Sequence, residues 1–430
     1  MQTFHDVACT VCGCVCDDLT LTFDGDRLTG DERACELARP WLYSLNEARP
    51  PVARLQGAEA TLEKAIGEAA TLLKGSRAPL IYGLSRSSTP GQRAAVSLAD
   101  QIGAIIDTTA SKGHGPSIMA IQEIGESTST LGEVARRSDL VIFWGADPAQ
   151  THPRHFERYS IEPTSDLLPH GKEDRHVIVI DVHKTQTAAV ADEVILVQEG
   201  RDFEMIAALR MLVRDPDCSP VVDCGVPLEQ LRSLAKRMTE CRYGAVFFGL
   251  GIASLHLGHL AVEALLELTA DLNEKTRFIA RRLRVSGDVS GADSVLCWQT
   301  GFPFGVDLSR GVPRFNPGEF TTEDLLERGE IDACLLVGSW NLPHLSKKAL
   351  AFLQTLPLIV LDPPNALPPL VAPAVQFTTA VYGIHAPGTA YRMDEVPIPL
   401  RKLVDSPYPT DDDVLHAIAA NLKGMADATA

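Results

Sequence analysis

Leu140-Val141-Ile142-Phe143-Trp144-Gly145-Ala146-Asp147-Pro148 is the stretch on which the fold turns. An unbroken apolar run this short, closed by a glycine and an aspartate, reads as a strand buried on both faces that ends in a tight turn. The same pattern recurs at Pro79-Leu80-Ile81-Tyr82-Gly83, Val177-Ile178-Val179-Ile180-Asp181, Ala245-Val246-Phe247-Phe248-Gly249, Cys334-Leu335-Leu336-Val337-Gly338 and Leu358-Ile359-Val360-Leu361-Asp362. Between these runs lie helical stretches such as Ala60 to Leu73, Gly91 to Gln101 and Phe203 to Val213. Short buried strands alternating with helices imply an α/β architecture with parallel sheets covered on both faces. Ligands of such sheets lie beyond the carboxyl ends of the strands, where these Gly and Asp residues fall.

The chain has 430 residues, enough for two or three domains. Its 39 Lys and Arg against 56 Asp and Glu give a formal charge of −17, which disfavours nucleic acid and anionic membranes as partners. No apolar run reaches the roughly 18 to 20 residues that span a bilayer. The N-terminus lacks a basic region followed by an apolar one, so a cytoplasmic location is expected.

Five of the ten cysteines fall within the first 35 residues, at 9, 12, 14, 16 and 35. A local cluster in a long chain points to metal binding rather than a disulfide scaffold. Cys9-x2-Cys12-x3-Cys16 puts three thiols on one tight loop, and Cys35 returns a fourth; this arrangement can wrap a cubane cluster. Zinc would be satisfied by the same thiolates, and cysteines that only pack are a third reading. Cys14 is the spare, expected to point away from any cluster.

With Gly13 and Asp17-Asp18-Leu19, the cysteine spacing resembles the [4Fe–4S] domain of molybdopterin oxidoreductases, in the form found in the B subunit of formylmethanofuran dehydrogenase. Trp144-Gly145-Ala146-Asp147-Pro148 with His152-Pro153-Arg154 resembles that family's pterin-cradling turn. Asp181-Val182-His183-Lys184-Thr185-Gln186-Thr187-Ala188 resembles its Asp-x-Arg-x-Thr-x-Thr-Ala turn, which contacts cofactor phosphate. Gly249-Leu250-Gly251, Trp298 to Phe304, Ser309 to Glu319 and Gly388 to Asp394 extend the likeness over nearly the whole chain. The resemblance implies a multi-lobed fold with parallel Rossmann-like sheets. A small cysteine-rich lobe is expected at 1–52 and α/β lobes over 53–430, divided into 53–135 with 320–430, and 136–319. A C-terminal β-barrel domain is expected to be absent.

Each segment also has a plainer reading. Glycine after a strand is first a turn residue, and Trp144 and Trp298 are first core residues. Arg310 and Arg314 are by default surface charges. Lys184 stands where the family has arginine, keeping the charge but losing bidentate phosphate recognition.

One loop departs from the family. Ser111-Lys112-Gly113-His114-Gly115-Pro116 matches a Cys-His-Gly-Pro segment whose cysteine or selenocysteine ligates tungsten or molybdenum, and the ligand position holds Gly113. A hydrogen atom cannot replace a soft thiolate. His114 and Arg284, whose family counterparts stand beside the metal, are expected to form a vestigial pocket. Trp144, Gly145, Asp147, Asp181, Lys184 and Thr187 are expected to form vestigial pterin turns. Cys9, Cys12, Cys16 and Cys35 are the expected metal ligands, with [4Fe–4S] the expected cofactor and a tungsten or molybdenum pterin expected to be absent.

Within the family, the bacterial formyltransferase/hydrolase complex of tetrahydromethanopterin-dependent one-carbon metabolism fits this pattern. The resemblance then implies a non-redox scaffold with three kinds of partner: an amidohydrolase-type hydrolase as the A subunit, a formyltransferase as the D subunit, and a C subunit. An active tungsten or molybdenum subunit handling formate and CO2 is the alternative, resting on the four cysteines and the intact Pro313-Arg314-Phe315-Asn316-Pro317-Gly318-Glu319 segment.

Overall fold

The computed structural model describes residues 1–285 and 287–427. The chain divides into two units, Met1–Lys112 with Ser286–Ala430, and Gly113–Val285.

In the first unit the buried runs Pro79–Gly83, Ala333–Val337 and Leu358–Asp362 lie side by side and parallel. Ile105–Thr108 and Val375–Thr378 extend this parallel core on either side. Antiparallel strands then complete nine: Val306–Asp307 and Arg314–Phe315 at one edge, Ala53–Leu55 and Ala58–Ala60 at the other. Every residue of the three central strands is buried, because helices cover both faces. On one face Ala65, Ala69 and Leu73 pack with Ala95, Leu98, Leu415 and Ile418 over Ile81, Leu335 and Ile359. On the other, Leu325, Leu326, Ala349 and Leu353 meet Leu80, Leu336 and Val360.

The helix read from Ala60 begins instead at Leu62, with Ala58–Ala60 forming an edge strand. Gln56 and Gly57, both at positive φ, turn the chain back there, and the Thr61 hydroxyl accepts from the Lys64 amide to cap the helix. An antiparallel three-stranded sheet, Gln2–Val7, Leu19–Asp24 and Arg27–Glu32, carries the cysteine loop between its first two strands. Gly388–Tyr391 and Pro397–Leu400 form a hairpin. Val15 packs from the cysteine loop among Ala390, Ile398 and Leu400 of that hairpin.

The second unit is a five-stranded parallel sheet in the order Glu193–Leu196, His176–Asp181, Leu140–Trp144, Tyr243–Phe248, Arg277–Arg282. The helices Asp202–Arg214, Leu228–Glu240 and Gly258–Asn273 pack Leu209, Leu234 and Leu265 with Ile142, Ile178 and Val246 of the sheet. Among the described residues no closed barrel forms, and no helix is long and apolar enough to cross a membrane.

Candidate functional site

The N-terminal cysteines converge. The Cys9 amide donates to the Cys16 carbonyl at 2.7 Å and the Val15 amide to the Cys12 carbonyl at 3.2 Å, closing the loop on itself. The Gly13 carbonyl accepts from the Met393 amide at 2.9 Å, which ties the loop to the C-terminal hairpin. Cys12, Cys14 and Cys16 are buried, while Cys9 and Cys35 are partly so. Burial pushes the Cys9 thiol far up, helped by the negative charges of Cys12 and Cys16, and pushes Cys35 up in the same direction. Such mutual influence requires all four predicted ligands to share one neighbourhood.

Cys14 has not turned away. Its thiol hydrogen-bonds to Cys12 and Cys16, which raises its own pKa well above the usual thiol range and lowers that of Cys12. Arg86 lowers Cys12 further through its positive charge. Arg86 follows the strand Pro79–Gly83, with its guanidinium 5.3 Å from the Trp340 ring centroid and 6.0 Å from that of Trp41. It is a residue that sequence reasoning passed over. The carboxyl-end rule applied to the Pro79–Gly83 strand would have pointed to it.

The donor chemistry would suit a four-thiolate cluster: soft thiols gather in one neighbourhood, Cys12 and Cys16 buried and Cys9 and Cys35 partly so, and a cation stands beside them. Among the described residues no group of three His, Cys, Asp or Glu is arranged to hold a single metal ion. A cubane differs in kind, because each thiolate bonds a different iron.

In the second unit, His114 is the N-cap residue of the helix Gly115–Ile124 and is 5% exposed. Its Nδ1 lies 3.4 Å from the Ser117 hydroxyl and its Nε2 3.3 Å from the Leu283 carbonyl oxygen. Burial lowers its pKa to about 3, with the charges of Arg284 and Arg282 adding to the effect. His114 and Arg284 are therefore brought together, and the imidazole is neutral. His152 joins them, its Nε2 donating to the Arg284 carbonyl oxygen at 2.8 Å. Burial holds its pKa at about 4.

Gly113 offers this pocket no donor atom. A Cβ placed there would meet Leu250 Cδ2 at 3.5 Å, an ordinary contact, and its φ lies outside the left-handed region. Neither space nor backbone conformation requires glycine at 113. The ligand position assigned by resemblance thus lacks the side chain a tungsten or molybdenum centre would use, although one could be accommodated.

The expected pterin turns stand at the carboxyl ends of adjacent parallel strands. Gly145 has φ +56°, and a Cβ there would lie 3.0 Å from Gly251 Cα; two backbones cross where side chains cannot fit. Trp144 is fully buried and its indole donates to Asp202 Oδ1 at 2.8 Å. The Asp147 carboxylate accepts from the Thr187 amide at 2.9 Å, the Thr187 hydroxyl at 2.5 Å and the Gln186 amide at 3.1 Å. Asp147 and Thr187 therefore staple one turn to the other. Asp181 accepts from the Val182 amide at 2.8 Å and lies 3.3 Å from His183 Nδ1. Lys184 is exposed on the same turn.

Elsewhere in the first unit, Arg310 is exposed, whereas Arg314 pairs with Asp307 and lies 4.9 Å over the Phe320 ring. Trp298, a core residue by default, is 54% exposed and meets Tyr391 edge-on at 5.6 Å.

No family model matches the chain. It is 36% identical over 434 residues to the B subunit of the tungsten-containing formylmethanofuran dehydrogenase 2 of Methanocaldococcus jannaschii, covering 99% of this chain and 100% of that one. It is 25% identical over 295 residues to the B subunit of the formyltransferase/hydrolase complex Fhc of Methylorubrum extorquens, covering 67% of this chain and 75% of that one. The crystal structure of that complex, FhcABCD with methylofuran, matches with a TM-score of 0.73 at 23% identity, over 87% of this chain and 99% of the matched one. Acetylene hydratase from Pelobacter acetylenicus matches with a TM-score of 0.68 at 11% identity, over 98% of this chain and 69% of that one. The fold is thus of the molybdopterin-oxidoreductase type. With over a third of its residues identical along essentially its full length, the chain belongs to the family of formylmethanofuran dehydrogenase B subunits.

Proposed function

We propose that the chain is a non-redox scaffold subunit of a formyl-transferring and formyl-hydrolysing complex of one-carbon metabolism. It would hold an amidohydrolase-type hydrolase, a formyltransferase and a C subunit in place. One observation carries this reading: Gly113 is a glycine that neither packing nor backbone conformation demands, in the position where the family places its metal ligand. The surrounding pocket keeps its buried His114 and Arg284. Loss of one ligand with the fold intact fits a lineage in which packing constraints have outlasted chemical ones. Likeness to the B subunit of the Fhc complex supports the assembly proposed.

Cys9, Cys12, Cys16 and Cys35 are proposed to hold a [4Fe–4S] cluster that folds the cysteine-bearing lobe, 1–52, onto its unit. Cys12→Ser should bleach the cluster's brown absorbance and raise protease sensitivity in that lobe. A colourless wild type without iron or zinc would show that the cysteines only pack.

A second reading, an active dehydrogenase subunit with metal held by pterin alone, is favoured by the 36% identity to a tungsten-containing relative. The assembled complex separates the two. If the chain is a scaffold, its deletion abolishes formyl hydrolysis, whereas His114→Ala and Arg284→Ala leave flux nearly unchanged once size-exclusion chromatography confirms assembly. A large loss of flux in either assembled variant would show that the pocket participates in the chemistry.

A further inference from the structure

Arg86 is held unusually for a cation. Its guanidinium lies over two indoles, Trp340 at 5.3 Å and Trp41 at 6.0 Å, within the range in which ring faces attract a cation. Its Nε is buried and has no hydrogen-bond partner among the described residues. The backbone leaves it little freedom: Leu84, two residues earlier, has φ +75° and donates its amide to the Val337 carbonyl at 2.9 Å. Each of these features fixes the position of the charge without neutralising it.

Arg86 as a whole is half-buried, and even partly removing a guanidinium from water is costly unless an anion answers it. Two indoles recover only part of that cost. The remaining compensation has a direction. Arg86 shares a cavity with Thr10, which lies between Cys9 and Cys12, with Trp41 of the helix Ala38–Ser44, and with Asp411, whose carboxyl burial pushes towards its neutral form and whose Oδ1 accepts from the Tyr382 hydroxyl. A [4Fe–4S] cluster on four thiolates is net negative in both common oxidation states, and more so when reduced. Charge near a cluster is one of the levers by which a protein sets its reduction potential.

We propose that Arg86, lying over the rings of Trp41 and Trp340, is the counter-charge of the cluster held by Cys9, Cys12, Cys16 and Cys35, and raises its reduction potential by favouring the reduced form. The assignment rests on the cluster reading above. It makes Arg86 a positioning residue for charge and gives the two indoles a purpose that packing alone does not.

The test uses the complex purified without oxygen, as wild type, Arg86→Gln and Arg86→Lys, with iron content measured and the cluster titrated by EPR-monitored potentiometry. Arg86→Gln keeps the side chain's approximate size and removes its charge, so its midpoint should move to more negative potential. A tenfold weakening of the reduced form reads as about 59 mV for this one-electron couple. Arg86→Lys should restore most of the wild-type potential. If Arg86→Gln loses its iron, Trp340→Phe takes its place, weakening the ring contact while keeping the charge, with a smaller shift of the same sign expected. Clusters of unchanged potential in the variants would overturn the role of Arg86 while leaving the cluster reading intact. A wild type without iron would overturn both.

Discussion

Acid should act on the two units in opposite directions. In the unit Gly113–Val285, His114 and His152 are buried and neutral, with pKa values lowered from 6.5 to about 3 and about 4, chiefly by burial. His155 is lowered well below its usual value for the same reason. A folded pKa below the unfolded one means that the unfolded chain binds more protons. Stability is therefore lost as pH falls below 6.5. Each group's slope approaches about 1.4 kcal/mol per pH unit below 6.5, so His114 and His152 together forfeit roughly 4 kcal/mol between pH 7.5 and 5. Asp202, raised by burial, offsets part of this.

The other unit holds buried carboxyls of the opposite sense. Burial lifts Asp107 and Asp362 to about 6 and Asp288 to about 8. There the folded chain binds more protons, so stability rises as pH falls through those values towards 3.8; His385, lowered to about 4, subtracts from the gain. Hydrogen exchange read by mass spectrometry at pH 7.5 and pH 5, corrected for intrinsic rates, separates the units. The slowest amides of 113–285 should lose protection by an amount on the order of 4 kcal/mol, while those around 79–83 and 333–362 hold or gain. His152→Gln should remove about a third to a half of the pH dependence, since His155 contributes in the same sense. Equal loss in both units, or a flat response in 113–285, would refute the reasoning.

Two substitutions test the turns at the carboxyl ends of the second sheet. Gly145→Ala puts a Cβ at φ +56° and 3.0 Å from Gly251 Cα, and should cost about 2–5 kcal/mol in urea unfolding. Trp144→Phe removes the indole donor to buried Asp202 and should cost about 1–3 kcal/mol; Asp202→Asn in that background should recover part of the loss.

The central strands were legible because burial on both faces leaves unbroken apolar runs: Pro79–Gly83 and Leu358–Asp362 span the residues read from sequence. The small antiparallel sheet was not legible. Strands such as Arg27–Glu32 alternate weakly, and their pairing is set by the loop they carry as much as by hydrophobic pattern. At the candidate site, spacing made the cysteines visible, since chemistry dictates spacing. Arg86 lay within reach of the carboxyl-end rule; what the sequence could not show is that Trp41 and Trp340, distant in the chain, meet it in the fold. Asp147 shows the reverse: its turn was recognised, but only the structure reveals that its carboxylate is taken up by Thr187 and Gln186.

The central claim is that Gly113 marks a chain retaining its cluster ligands without its redox metal. Elemental analysis of the complex purified under strict anaerobiosis tests it most directly. Iron at the stoichiometry of one [4Fe–4S] cluster per chain, without stoichiometric tungsten or molybdenum and without viologen-linked formate oxidation, is the predicted result. Stoichiometric tungsten or molybdenum in a preparation that turns over formate would contradict it.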